Sequence, residues 1–157
     1  MLLTPVYRLC DYLRHRARLR LWTKDAAMGR RAEDLAHRYL QSKGFKVVER
    51  NWKHPSRQAE VDLVAWDADR LAFVEVKSRH DTSTGAPERA MNPEKEARIR
   101  AAALYFSRHW HLEEDRLRFD LVTVVFEPFA IRHFPDSWSG RAPSGARRIR
   151  YARNSSS

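Results

Sequence analysis

The chain has very little cysteine and no long hydrophobic run. Its single cysteine, Cys10, excludes an internal disulfide and any metal site built on several thiolates, which fits a reducing compartment. Charged residues interrupt the apolar N-terminal segment, so it resembles neither a membrane span nor a secretory signal. We therefore expect a cytoplasmic protein without a disulfide framework.

The composition is that of one folded domain with basic ends. A chain of 157 residues with 43% hydrophobic residues and five tryptophans can bury a core. Residues 1–31 carry eight Lys and Arg against two acids, and residues 130–157 carry six against one. Basic ends commonly bind phosphate backbones, although solubilising tails and anionic lipid are alternatives. The partner we expect is nucleic acid.

Residues 1–28 form a basic extension that we expect to be helical. Its apolar residues recur near helical spacing, opposite an Arg-rich face. They are Leu2, Val6, Leu9, Cys10, Leu13 and Ala17. A helix of this kind can pack on the domain or a partner, or lie on a membrane surface. Packing is the simpler interpretation, and membrane contact stays open.

The expected order of elements in the domain, residues 29–128, is helix, three strands, helix, strand. The first helix opens at Gly29 and stops at Gly44, and a strand follows over 45–52. A loop over 80–90 precedes a helix capped by Asn92 and a buried strand over 117–126. Residues 129–157 are expected to be a loosely ordered basic tail.

Two alternating segments in the middle of the chain predict a β-hairpin. Residues 59–66 and 71–78 alternate between apolar and polar positions, and residues 67–70 supply the turn. Trp66 facing Leu71 sets a register in which Val64 faces Phe73. Counting outward from the turn then brings acidic residues together.

In that register Asp62 faces Glu75, and Glu60 faces Lys77. Opposed like charges are destabilising by an appreciable fraction of about 1 kcal/mol. The repulsion can be offset by a retained proton, by the Lys77 ammonium or by a divalent cation bound to both acids. A simpler alternative is a Glu60–Lys77 ion pair beside two solvated acids.

Several short motifs resemble a known family. They are Gly29-Arg30-Arg31-Ala32-Glu33, Gly44-Phe45, Asn51-Trp52, Glu60-Val61-Asp62-Leu63-Val64, Phe73-Val74-Glu75-Val76-Lys77-Ser78-Arg79, Lys95 and Arg118-Phe119-Asp120. Together they resemble the YraN-like family of uncharacterised bacterial proteins, which is similar to Holliday-junction resolvases. The resemblance covers about residues 29–126. Ala59 departs from it, because the family usually has glycine there.

The resemblance implies an α/β protein with a restriction-endonuclease-like core. Its mixed central sheet has the order α-β-β-β-α-β and is flanked by helices. Asp62 and Glu75 would bind Mg²⁺ or Mn²⁺, with the Val76 carbonyl as a further ligand. Lys77 would orient the attacking water or stabilise the transition state.

Two further acids are expected near this site. Glu60 would support it from the same hairpin. Glu33 either points inward as the helical acid of the superfamily, or sits in a first helical turn, where the dipole favours it by about 0.3 to 1 kcal/mol.

Four cations are candidates for binding nucleic acid: Arg30, Arg79, Lys95 and Arg98. For Lys95 and Arg98 a solvated helix face is an equal alternative. Arg118 and Asp120 are expected to form a structural ion pair.

The function we expect is that of a metal-dependent endonuclease acting on DNA, with branched or damaged DNA among its expected substrates. The alternative is a non-catalytic nucleic-acid-binding or scaffold protein on a nuclease fold. Homodimerisation is open.

Overall fold

The computed structural model describes residues 4–81 and 92–138. The elements are α1 (Pro5–Leu21), α2 (Lys24–Ser42), β1 (Lys46–Lys53), β2 (Glu60–Asp67), β3 (Arg70–Arg79), α3 (Pro93–His109), β4 (Leu117–Phe126) and β5 (Phe129–Phe134). The predicted order of helix, three strands, helix and strand is confirmed. Most of the predicted loop over 80–90, and the tail beyond residue 138, lie outside the described residues.

The strands form one mixed sheet in the order β1-β2-β3-β4-β5. The β3–β4 pair is parallel and the other pairs are antiparallel. Because parallel neighbours need a crossover connection, α3 crosses the sheet between them. The predicted mixed α/β core with flanking helices is thereby confirmed.

Each face of the sheet is covered by one helix. On one face Leu35 and Leu40 of α2 pack in a cluster with Leu63, Val74 and Val122 of the sheet. On the opposite face the α3 cluster combines α3 residues with sheet residues, namely Ile99 and Phe106 with Val61, Val64, Phe73 and Phe119. Strands β2, β3 and β4 are therefore largely buried on both sides, as their apolar composition indicates, whereas the edge strands β1 and β5 are mostly half-buried or exposed.

Helix α2 begins at Lys24, five residues earlier than the start expected at Gly29. The Thr23 side chain accepts a hydrogen bond of 3.3 Å from the Ala26 amide and caps the helix. Gly29 lies in the helix interior, where a Cβ would meet nothing within 4 Å. The domain boundary expected at residue 28 therefore falls inside a helix.

Helix α1 packs on α2 through polar side chains. Arg31 lies 2.9 Å from Asp11 Oδ2, and Arg18 lies 2.8 Å from Asp34 Oδ2. The Tyr7 hydroxyl donates to the Asp34 carbonyl at 3.3 Å. The extension is thus helical and packed on the domain, as predicted. No helix within the described ranges is long and apolar enough to cross a bilayer.

Residues 129–138, predicted as part of a loose tail, are ordered. Strand β5 pairs with β4, placing Ile131 beside Val124. Trp138 is buried against Phe119, with ring centroids 4.8 Å apart. The sequence did not reveal this strand for two reasons. Its six residues are too few to show a clear alternation, and the Gly, Pro and Arg residues that follow indicate a loose tail.

The predicted Arg118–Asp120 ion pair is confirmed at the start of β4. Arg118 Nε lies 2.9 Å from Asp120 Oδ1, and His133 Nε2 lies 2.8 Å from Asp120 Oδ2. Burial by itself would raise the pKa of Asp120, but hydrogen bonds from His133 and Arg118 outweigh it and hold that pKa below its usual value. This network joins β4 to β5.

Candidate active site

The hairpin register is as predicted near the turn and differs at the acids. Trp66 pairs with Leu71 and Val64 with Phe73, but the β2–β3 ladder ends at Leu63 and Val74. Asp62 and Glu75 are therefore not ladder partners. The Val76 amide instead donates a 2.7 Å hydrogen bond to Asp62 Oδ2. The Asp62 carboxylate thus takes the place of a backbone acceptor where the strands separate.

The neighbouring strand β1 carries an unusual residue, Asn51, at the level of Asp62. This residue has a φ of 49°, a left-handed conformation that asparagine tolerates better than most residues. Arg50 pairs with Leu63 and Trp52 with Val61, so the β1–β2 register is unchanged across Asn51, and the bulge of β1 lies between Val47 and Glu49. Val61 belongs to the α3 cluster and Leu63 to the opposite one, so strict alternation stops at Asp62.

Glu60 consequently lies away from Lys77. It pairs with Lys53 at 3.4 Å, and both side chains are exposed. The predicted Glu60–Lys77 pairing is therefore wrong, and so is the alternative that placed those two residues in an ion pair beside a solvated Glu75.

Glu75 is the most deeply buried acid of the predicted set, at 2% exposure. Its Oε1 accepts from Lys77 Nζ at 2.9 Å and also from Lys95 Nζ. Its Oε2 is buried and has no hydrogen-bond partner within residues 4–81 and 92–138. One carboxylate thus holds two ammonium groups while keeping an oxygen with unused acceptor capacity.

Asp62 is half-buried beside Glu75. Burial first, and the negative charge of Glu75 second, raise the pKa of Asp62 to about 7. The charge of Glu33 acts in the same direction, whereas the Val76 amide and Lys95 oppose it. The two carboxyls therefore form an electrostatically coupled pair.

Glu33 is oriented inward. Its Oε2 accepts from Asn51 Nδ2 and from Arg30, each at 2.8 Å. Because α2 begins at Lys24, Glu33 lies beyond the first helical turn, so the helix-dipole alternative does not apply. Asn51 thereby links the helical acid to the strand that adjoins Asp62.

The four candidate cations have different surroundings. Arg30 is engaged with Glu33 and Asn51, and Arg79 ends β3 opposite Val125. Lys95 contacts Glu75 and keeps 39% of its side chain exposed. Partial burial lowers the pKa of Lys95, but the hydrogen bond and charge of Glu75 outweigh it and raise that pKa. Arg98 is exposed, 3.9 Å from Glu94.

A shallow cavity of about 250 Å³ opens beside the acid pair. It is lined by Gln58, Ala59, Glu60, Asp62, Lys95, Arg98 and Ile99. Asp62 is therefore reachable from the surface, through an opening that places Arg98 next to it. Ala59, where the family usually has glycine, lines the same cavity.

Three residues of this site were not predicted in the positions they occupy. Asn51 donates a hydrogen bond to Glu33, Lys95 contacts the buried acid, and Thr123 lies beside Lys77 in the β3–β4 ladder. The hydroxyl of Thr123 is buried and lacks a hydrogen-bond partner among the described residues. An asparagine inside a strand was the available signal for Asn51, because asparagine is uncommon there.

The donor set suits a hard divalent cation. Asp62 and Glu75 offer carboxylate oxygens, and the unpartnered Oε2 of Glu75 is an acceptor that a cation would satisfy. In the described residues no cluster of three or more His, Cys, Asp or Glu side chains is arranged to bind a metal. The Val76 carbonyl, water or a substrate phosphate would have to complete the coordination.

Sequence comparisons place this site within a known family. A family model described as "Uncharacterised protein family UPF0102" matches residues 32–124. A UPF0102 protein of Solibacter usitatus is 44% identical over 122 residues, which is 78% of this chain and 88% of the relative. A relative from Anaeromyxobacter dehalogenans is 40% identical over 122 residues, 76% and 89% of the two chains. The chain therefore belongs to the uncharacterised family UPF0102, the YraN-like family whose motifs it carries.

Proposed function

We propose that this protein is a metal-dependent endonuclease that hydrolyses DNA phosphodiester bonds. The observation that carries the proposal is the pair formed by half-buried Asp62 and buried Glu75, in which Glu75 keeps an unpartnered oxygen. A purely structural ion pair is stable only when its remaining lone pairs are also satisfied. An acid pair with one oxygen left over is better suited to binding a cation.

Asp62, Glu75 and the Val76 carbonyl would hold Mg²⁺ or Mn²⁺. The bound ion would supply Lewis-acid activation of water and of the scissile phosphate. Glu75 positions the Lys77 ammonium, 2.9 Å from its Oε1, where it can stabilise negative charge that develops on the phosphate. Glu33 and Asn51 hold β1 in place beside Asp62.

The surroundings of the cavity support a phosphodiester substrate. Arg98 lines the opening next to Asp62 and is exposed. A second cavity shares Ala59 and Glu60 with the first and is lined by Lys53, His54 and Arg57. Lys53 and Arg57 extend the positive surface beyond Asp62 and Glu75, in a direction that a nucleic-acid backbone would follow. A preference for branched or damaged DNA belongs to the same proposal, and cleavage of flap and junction substrates tests the preference for branched DNA.

A second function, DNA binding without cleavage, has one observation in its favour. Lys77 and Lys95 already neutralise Glu75, so the acid pair is partly compensated without a metal. In that case the acid pair would have only a structural role, and the surrounding positive surface would bind DNA.

Metal-dependent cleavage of single-stranded, duplex, flap and four-way-junction DNA distinguishes the two functions. We expect Mg²⁺ or Mn²⁺ to support cleavage by the wild type and Glu75→Gln to abolish it. Glu49→Gln is the matched control, because it makes the same chemical change at an exposed position of β1. A folded wild type that binds DNA and cleaves none of these substrates would instead establish the binding function.

Manganese binding gives a readout that does not depend on activity. Titration calorimetry with Mn²⁺ should detect binding by the wild type and by Glu49→Gln. Binding should weaken by at least about tenfold in Glu75→Gln, because loss of an outer-shell partner already costs that much and Glu75 would be a direct ligand. Equal affinities in all three proteins would remove Glu75 from the metal site.

A further inference from the structure

Helix α1 presents its apolar residues to solvent. Val6, Leu9 and Leu13 recur at helical spacing and are 72%, 59% and 55% exposed. The contacts with α2 are made by Tyr7, whose ring packs on the α2 cluster and whose hydroxyl is hydrogen-bonded, and by the charged side chains of Asp11 and Arg18. The helix therefore packs on the domain through its polar face and leaves the apolar stripe unpartnered, the reverse of a surface helix that covers a core.

All the exposed charged side chains of α1 are cationic. The helix has one acidic residue, Asp11, and it is buried against Arg31. Arg8, Arg14, Arg16 and Arg20 are exposed. Arg16 and Arg20 continue the spacing of Leu9 and Leu13 along the same face. The outer surface of α1 therefore runs from an apolar half to a cationic half.

We propose that this surface of α1, formed by Val6, Leu9, Leu13, Arg16 and Arg20, binds an anionic lipid membrane. Aliphatic side chains gain free energy by entering the boundary between headgroups and acyl chains, while arginines are attracted to lipid phosphates. The helix would lie in the plane of the membrane, with the domain held on its opposite side through Asp11 and Arg18.

Electrostatics favours an anionic membrane over three other partners that could cover this surface of α1. A second copy would bring the arginines of two α1 helices together, which is repulsive. The segment 139–157 carries five arginines and no acid, so it is repelled for the same reason. Nucleic acid would attract the arginines, but phosphate contacts gain nothing from Val6, Leu9 and Leu13. An anionic bilayer satisfies both halves of the surface.

Flotation of the full chain with lipid vesicles tests the proposal. Vesicles of phosphatidylcholine with and without phosphatidylglycerol are compared for the wild type and two double variants. Leu9→Ser with Leu13→Ser removes apolar side chains and keeps the charge. Arg16→Gln with Arg20→Gln removes two positive charges and keeps the apolar side chains. Val48→Ser with Phe129→Ser is the matched control, because these apolar residues are 48% and 51% exposed on strands.

We expect the wild type and the control to float only with vesicles that contain phosphatidylglycerol. Partitioning should fall about fivefold for each arginine removed and roughly tenfold or more for the leucine pair. Circular dichroism checks that each variant is folded.

Three results would overturn the proposal. One is a wild type that fails to float with anionic vesicles. Another is a leucine variant that floats like the wild type, since attraction would then be purely electrostatic. The third is loss of DNA affinity or of a dimer in the leucine variant with flotation unchanged, which would assign the surface to nucleic acid or to a second copy.

Discussion

Asn51 Nδ2 on β1 lies 2.8 Å from Glu33 Oε2 on α2 and links the helical acid to the edge of the acid pair. Asn51 also has a left-handed backbone conformation at the point where β2 stops alternating. One residue therefore shapes the strand next to Asp62 and holds Glu33 in its inward orientation.

Replacing Asn51 should separate its backbone role from its side-chain role. Glycine adopts the left-handed backbone conformation without strain, so Asn51→Gly loses only the side-chain hydrogen bonds. We expect it to lower the free energy of unfolding by about 1 to 2 kcal/mol. Asn51→Val adds backbone strain and should lose about 1 to 2 kcal/mol more. Urea denaturation measures both variants. If Asn51→Gly and Asn51→Val lowered the free energy of unfolding equally, the left-handed backbone at this position would impose no strain on valine.

Lys95 and Glu75 should be strongly coupled in their effects on the free energy of unfolding. A double-mutant cycle with Lys95→Met and Glu75→Gln, measured by urea denaturation without metal, should give a coupling of about 1 to 3 kcal/mol because Glu75 is buried. The exposed Arg98–Glu94 pair provides the control cycle, for which we expect about 0.2 to 0.5 kcal/mol. Similar couplings in the two cycles would mean that Lys95 behaves as a surface residue.

Asp120 should make the protein sensitive to acid. Its pKa is lowered in the folded state, from an unfolded value of about 3.9, so its stabilisation is present above that value and is lost as pH falls through the folded pKa. The stability gap between wild type and Asp120→Asn should therefore narrow as the pH falls below about 4. Thermal unfolding across pH measures the gap, with exposed Asp115→Asn as control. A gap that stays constant down to pH 2 would contradict the assignment.

The C-terminal segment should contribute to nucleic-acid affinity through charge. Deleting residues 141–157 removes five arginines and no acids. Each lost phosphate contact should reduce the slope of log affinity against log salt by about 0.9 on duplex DNA. Fluorescence anisotropy at several salt concentrations gives the slopes of full-length and shortened chains. An unchanged slope would exclude the segment from the DNA interface.

Local patterns in the sequence were sufficient for the order of elements and for the acids of the site. Alternation placed Trp66 opposite Leu71 and Val64 opposite Phe73, and both pairs are present. Asp62 and Glu75 were identified from the same alternation, and they do lie together, although they are not ladder partners. These features follow from side-chain periodicity within eight to ten residues, which any strand of the chain must obey.

Contacts between distant segments set the remaining features. Lys95 reaches Glu75 from a helix twenty positions away, and β5 exists because β4 offers it a free edge. The exposed apolar stripe of α1 likewise depends on how that helix is rotated against α2, which the ion pair of Asp11 with Arg31 establishes. A sequence pattern reveals which side chains share one face of a helix or strand, since periodicity is a local property. The face that is buried depends on the charges and packing that a distant element brings against it.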